Sequence, residues 1–126
     1  MNPTMKSKEF ILEYFNAMKN NTVTRELLER YISDQGLIEH ILFFESVFPH
    51  YTMTDHEITA EGNRVVVRAN MVGRHEGMFG EIPPTHKNVN LPCVVSYTIE
   101  NRKIVSHWLI ADQALLMEQL GVGATV

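Results

Sequence analysis

The chain has 126 residues, 44% of them hydrophobic and 21% charged, with a formal net charge of −4. One domain spanning 1–126 can bury a substantial core at that size, and the composition excludes a disordered chain. The acidic balance and the lack of any long Lys/Arg run argue against nucleic-acid binding, which needs a basic stripe to displace counterions.

One cysteine, Cys93, leaves no internal disulfide framework and suits a reducing compartment. The first residues, Met1 to Lys8, are polar, and no apolar run approaches the roughly 18 residues of a membrane span. A cytoplasmic protein with no membrane association is therefore expected.

The first half reads as helices. Phe10, Ile11, Tyr14, Phe15 and Met18 form one helical face from about Ser7 to Asn20. Thr24, with Glu26 in the first turn, opens a second, short helix whose Leu27, Leu28, Tyr31 and Ile32 face inward. After Ser33-Asp34-Gln35-Gly36 a third helix carries Leu37, Ile41, Phe44 and Phe48, and Pro49 ends it.

The second half reads as strands over Tyr51–Ala60, Arg64–His75, Val89–Glu100 and Lys103–Ala111. Glu61-Gly62-Asn63-Arg64 and Asn101-Arg102 serve as hairpin turns. A short helix, Gln113 to Leu120, stops at Gly121. Helices followed by long antiparallel strands predict an α+β fold with the helices on one face of a curved sheet. The irregular stretch Gly77–Asn88 is long for so small a domain, and such loops are more often functional than idle.

Strict alternation along the last strand places Ile104, Ser106, Trp108, Ile110 and Asp112 on one face, a carboxylate in line with an indole. Two readings of Asp112 conflict physically. As the N-cap of the final helix it would be held as an anion, whereas an apolar pocket would raise its pKa towards acid/base use. His75 is the only ionisable group on a face shared with Val65, Val67, Ala69 and Met71, and reads as a hydrogen-bonded core histidine or as a catalytic partner. Tyr14 is a core or rim tyrosine, or a hydrogen-bond donor at a pocket mouth. Val105, His107, Leu109 and Ala111 fall on the opposite, outer face. The six histidines show no metal-ligand spacing, no glycine-rich phosphate loop is present, and no serine has the glycines of a nucleophile elbow, so no metal is expected.

From Phe10 to Gly121 the chain resembles the SnoaL-like polyketide cyclase, or ester cyclase, family of the nuclear transport factor 2-like superfamily. The resemblance is carried by Phe48-Pro49-His50-Tyr51, Ala60-Glu61-Gly62-Asn63-Arg64, Gly73-Arg74-His75-Glu76-Gly77, Ile82-Pro83-Pro84-Thr85, and Trp108 and Asp112 through Gln119-Leu120-Gly121. It departs from the family pattern at His50, Asn63, His86 and Ser106.

The resemblance implies a cone-shaped barrel in which the N-terminal helices close a strongly curved antiparallel sheet around an apolar pocket. It also implies cofactor-free intramolecular aldol closure of a polyketide ester. Asp112 matches the family's proton-transferring aspartate, and His75 the histidine of its Gly-x-His-x-Gly segment. Trp108, Tyr14, Phe15, Met71 and Phe79 are then the expected substrate-binding walls. The expected activity is that of a cyclase or isomerase on a small carbonyl-bearing substrate, and the alternative is a non-catalytic protein of the same fold that binds a small apolar molecule. The partly apolar outer sheet face further predicts a two-fold homodimer with His107 and Leu109 at the contact.

Overall fold

A computed structural model describes residues 2–122. The elements run α1 (Pro3–Asn20), α2 (Arg25–Tyr31), α3 (Gln35–Val47), β1 (Thr52–Glu61), β2 (Arg64–Arg74), β3 (Asn88–Glu100), β4 (Lys103–Ala111) and α4 (Gln113–Leu120). The strands form one antiparallel sheet in the order β1-β2-β3-β4, giving the expected α+β architecture.

Local chemistry sets most boundaries. Helix α1 starts a turn earlier than its apolar periodicity suggests, because Asn2 Oδ1 accepts the Met5 N–H (2.8 Å) and Pro3 follows at a position where no N–H is needed. Thr24 and Asp34 cap α2 and α3 by accepting the N–H groups of Leu27 and Leu37. Asn101 and Arg102 have φ of 50° and 57°, the left-handed pair that lets a two-residue hairpin match the twist of its strands.

Helices α1 to α3 pack on the concave face of the sheet. Phe10, Ile11, Leu28, Ile38, Val65, Val67, Val95 and Ile104 belong to this main core. A second cluster, built on Val47, Phe48, Met71, Leu91, Leu116 and Leu120, fixes α4 across the other end. β4 reaches only as far as the Cys93–Ala111 pair, and Gln119 takes its place beyond. Its side-chain amide accepts from the Asn90 N–H (2.8 Å) and donates to the Asn90 carbonyl (2.9 Å), mimicking the missing strand.

Two bulges break the alternation of the sheet, and the one in β4 corrects the facing expected from the sequence. Thr98 pairs with Ser106 but Ile99 pairs with Ile104, so Val105 is an extra residue in β4. A bulge of one residue shifts the phase of everything beyond it. Ile104 points inward, and after the bulge it is His107, Leu109 and Ala111 that face the interior. Trp108 and Ile110 point outward and are 49% and 65% exposed. The second bulge, at His56 in β1, works in the same way between the Asp55–Ala69 and Glu57–Arg68 pairs.

The Gly77–Asn88 loop folds over the C-terminal end of α3 and not over an opening. Glu76 and Gly77 both donate their N–H to the Val47 carbonyl, and a Cβ on Gly77 would collide with the Ser46 carbonyl oxygen. Only glycine fits so close an approach.

Asp112 sits at the N-cap of α4, exposed, with Oδ1 accepting the Leu115 N–H at 2.9 Å. Asp112→Ala is therefore expected to cost about 1 kcal/mol of stability, the usual value of such a cap. A urea melt checks it through the midpoint at unchanged m-value. A midpoint equal to that of the unmutated protein would show that the cap contributes nothing.

Candidate functional site

Between α1, α3 and the concave face of the sheet lies a cavity of about 190 Å³. Its floor comes from alternate residues of the central strands: Met71 of β2, and Leu91, Cys93, Val95 and Tyr97 of β3. Tyr14, Phe15 and Met18 of α1 form one wall, and Leu37, His40, Ile41, Phe44 and Glu45 of α3 form the other. The α3 residues recur at the three- and four-residue spacing of a single helical face. β4 completes the enclosure with His107, Leu109 and Ala111.

The ionisable groups concentrate along α3. His107 Nδ1 lies 2.7 Å from Asp34 Oδ2, and both side chains are less than one-fifth exposed. Burial opposes the ionisation of Asp34. Its hydrogen bonds with His107 and with the Leu37 and Gly36 N–H groups outweigh that effect and hold the carboxyl below its usual range. An ionised carboxylate can only accept, so Nδ1 of His107 carries the hydrogen, and in the neutral form of this cavity-lining ring Nε2 is the lone pair.

Two backbone hydrogen bonds fix this pair. Ser33 and Asp34 both donate their N–H to the Ile104 carbonyl (3.0 and 3.2 Å), at the edge of the β4 bulge. The device that turns His107 inward therefore also docks the N-cap that orients it.

His40 stacks on Phe44 with ring centroids 4.6 Å apart. Burial, and then the charge that His107 can carry, push its pKa below the ordinary histidine value. Tyr14 and Tyr97 meet edge-on at 6.0 Å, and burial pushes both phenols up, so they stay protonated donors. Burial likewise raises Tyr51, with the Glu45 charge adding to it, and burial raises the Cys93 thiol.

Of the residues expected at the site, Tyr14, Phe15 and Met71 line the cavity. The other four do not, each for a physical reason. Trp108 lies on the convex face because of the Val105 bulge. Asp112 follows β4 and is spent as the cap of α4. Phe79 packs behind the wall, its ring 6.3 Å from Phe44 and 6.4 Å from Phe48.

His75 is fully buried, and its Nδ1 accepts the Thr85 N–H (3.1 Å) with Thr85 Oγ1 at 3.0 Å. It fastens the Gly77–Asn88 loop instead of facing the cavity. His107 and Leu109, expected at an outer contact, are cavity residues.

The functional groups that sequence reasoning passed over are Asp34, His40, Glu45 and Tyr97. Ser33-Asp34 ahead of an apolar-periodic helix does signal an N-cap. Nothing in the sequence shows that its second carboxylate oxygen meets a histidine 73 positions later. Among the described residues no group of three or more His, Cys, Asp or Glu side chains converges as a metal site, and no helix is long and apolar enough to cross a membrane.

The sequence profile described as SnoaL-like polyketide cyclase matches residues 10–120. No curated protein matches the chain. Among solved structures, a protein from Jannaschia sp. CCS1 assigned as a SnoaL-like polyketide cyclase superposes with a TM-score of 0.84 at 18% identity, covering 98% of this chain and 97% of that one. IdmH from Streptomyces antibioticus, assigned as a polyketide cyclase, gives 0.75 at 22% identity over 92% and 99% of the two chains. AclR from Streptomyces galilaeus, assigned as a hydroxylase, gives 0.81 at 21% identity over 98% and 85%. At these identities the likeness is one of fold.

The His40 shift sets the sign of a pH dependence. A native pKa below the ordinary histidine value of 6.5 means that the unfolded chain binds the proton more readily. The stability provided by neutral His40 is then complete above about pH 6.5 and lost as pH falls towards its native value. Asp34, also depressed, behaves in the same way below the ordinary carboxylate value of 3.8. Urea melts at pH 7.5 and 5.5 should show the unmutated protein losing more stability than His40→Gln. Equal losses would mean that His40 is not held neutral by its surroundings.

Proposed function

The chain belongs to the SnoaL-like polyketide cyclase family, and on that premise we propose that it is a cofactor-independent acid/base catalyst acting beside a carbonyl group in the cavity. The observation that carries this reading is the His107–Asp34 pair: a cavity-lining histidine with one ring nitrogen bound by a partly buried carboxylate, which leaves the other to act on a ligand. That is the arrangement a general base requires.

His107 Nε2 takes a proton from the carbon next to a substrate carbonyl. Asp34 holds the ring in the productive tautomer and stabilises the imidazolium that forms. Tyr14 and Tyr97, kept protonated by burial, are suited to donate to the developing enolate oxygen. The enolate carbon then attacks a second carbonyl of the same molecule, and the imidazolium returns its proton to the new alkoxide. Written this way, the step is an aldol ring closure in which protons and electrons balance with no external oxidant or reductant. A cavity of about 190 Å³ falls below the roughly 300–1,000 Å³ of common ligand sites and favours a small, largely apolar substrate over an extended one.

The role expected for Asp112 passes in this reading to Asp34 and His107. 1-Tetralone, a bicyclic ketone with slowly exchanging protons beside its carbonyl, tests it by exchange into D2O followed by NMR. The protein should accelerate exchange at neutral pH, and His107→Gln should remove roughly 10²-fold or more of that acceleration. Asp34→Asn should remove at least tenfold, while Asp112→Asn leaves it unchanged. No acceleration by the unmutated protein would favour a non-catalytic binding protein. Loss of acceleration in Asp112→Asn alone would return the role to that residue.

The protein is further proposed to form a two-fold homodimer through the convex face of the sheet. Exposed Ile110 lies beside Val94, and exposed Trp108 lies beside Ser96 and, one strand further on, Val66. Ser96 is only 3% exposed despite its outward position, so this face is already partly covered by its own side chains. An apolar patch of this kind is costly to leave in water. Ile110→Glu should convert a dimer into a monomer while leaving the fold intact, as read by sedimentation velocity. A monomer of the unmutated protein at micromolar concentration would rule the dimer out. The free, buried Cys93 suits a reducing location such as the cytoplasm.

A further inference from the structure

The cavity has a second polar pole. Glu45 lines it near the C-terminal end of α3, with its side chain 18% exposed. Its Oε1 accepts the His50 N–H at 2.8 Å, and His50 holds a left-handed φ of 61° at that point. Oε2 is buried, and no donor among the described residues reaches it. The Lys19 ammonium, which also lines the cavity, is taken by Asp55 at 3.2 Å. Tyr51 is close enough for the Glu45 charge to oppose its ionisation, yet it gives Oε2 no hydrogen bond.

A carboxylate oxygen removed from water without a donor is destabilising, and one in the wall of a cavity is open to a donor that a ligand brings. The helical rise places Glu45 about 8 Å along α3 from His40 and about 16 Å from Asp34. Both poles therefore belong to one elongated site, with an apolar floor between them.

We infer that Glu45 is a specificity residue for a ligand carrying a hydrogen-bond-donating group, a hydroxyl or an amine, at the end opposite its reactive carbonyl. The inference rests on the cavity being the substrate site. It adds to that reading a demand on the substrate: a carbonyl whose neighbouring C–H faces His107 at one end, and a donor facing Glu45 at the other. A purely apolar ketone of the same size would leave Oε2 as it is and gain nothing there. The carboxylate also discriminates against ligands with a negative charge at that end, because two anions would meet in a low-dielectric enclosure.

The experiment compares 1-tetralone, 6-hydroxy-1-tetralone and 6-amino-1-tetralone, whose substituents lie across the ring system from the carbonyl. Binding is followed by chemical-shift titration of the cavity methyl groups of Ile41, Met53 and Met71. The hydroxyl or the amino compound, or both, should bind at least tenfold more tightly than the parent ketone, as a donor to a carboxylate requires. Whichever of the two gains affinity identifies the donor.

Glu45→Met, of similar length, should abolish that preference and bring the affinities of the three ketones within about twofold of one another. It should also leave thermal stability equal or higher, since it removes a carboxylate oxygen that lacks a donor. Glu45→Gln, which keeps an acceptor but no charge, should retain an intermediate preference. Equal affinities of all three ketones for the unmutated protein would overturn the role of Glu45 while leaving the cavity as a ketone site. A preference that survives Glu45→Met would overturn it as well. If none of the ketones moves the cavity methyl groups, both this role and the proposed site fail together.

Discussion

The Ile104 carbonyl and the extra residue that follows it govern the arrangement of the site. A regular β4 would alternate without interruption, and Trp108 and Ile110 would then fill the space now occupied by His107 and Leu109. The bulge at Val105 reverses that choice, and it leaves the Ile104 carbonyl in reach of the Ser33 and Asp34 N–H groups. These two hydrogen bonds tie the α2–α3 junction to the edge strand. They bring a helix-capping carboxylate to 2.7 Å from the imidazole that the same bulge has turned inward. Positioning, orientation and tautomer choice thus share one structural cause.

Asp34 shows how a capping residue can serve two purposes. One oxygen accepts the Leu37 N–H at the start of α3, and the other accepts from His107. Capping alone favours the anion, and the imidazole favours it further, so a carboxylate that burial would otherwise tend to neutralise remains charged. Asp112 has only the first of these partners. It caps α4 at the surface, where Oδ1 accepts the Leu115 N–H and no imidazole among the described residues hydrogen-bonds to it. The same residue type in the same local position therefore has different chemical prospects, and the difference lies entirely in what the fold places opposite.

The cavity itself is a compromise between packing and polarity. Its floor of Val95, Leu91, Met71 and Cys93 is apolar, while the α3 wall alternates aliphatic and ionisable side chains within one helical face. A carboxylate oxygen that no donor among the described residues reaches and, at acid pH, a histidine biased to its neutral form raise the free energy of the folded state. The clusters on either side offset that cost, with fully buried Ile11, Leu28, Ile38 and Val65 in one and Val47, Phe48, Leu116 and Leu120 in the other. The His75–Thr85 fastening belongs to this support, since it holds the loop that carries Phe79 against Phe44 and Phe48.

The residues in sequence were sufficient for the element order, the helix start at Thr24, the hairpin at Asn101-Arg102 and the stop at Gly121. Each depends on interactions within a few positions of the chain. They also sufficed for the inward faces of α1 and β2, where the helical and two-residue periods run unbroken, and hence for Tyr14, Phe15 and Met71 in the cavity. The facing of β4 was not legible, because a bulge of one residue carries no compositional signal at Val105-Ser106 and is imposed by pairing with β3. Nor was the partnership of Asp34 with His107, which joins residues 73 positions apart through a docking contact at Ile104. What acts over a few residues could be read from the order of the amino acids. What depends on register between distant strands was decided only when the sheet formed.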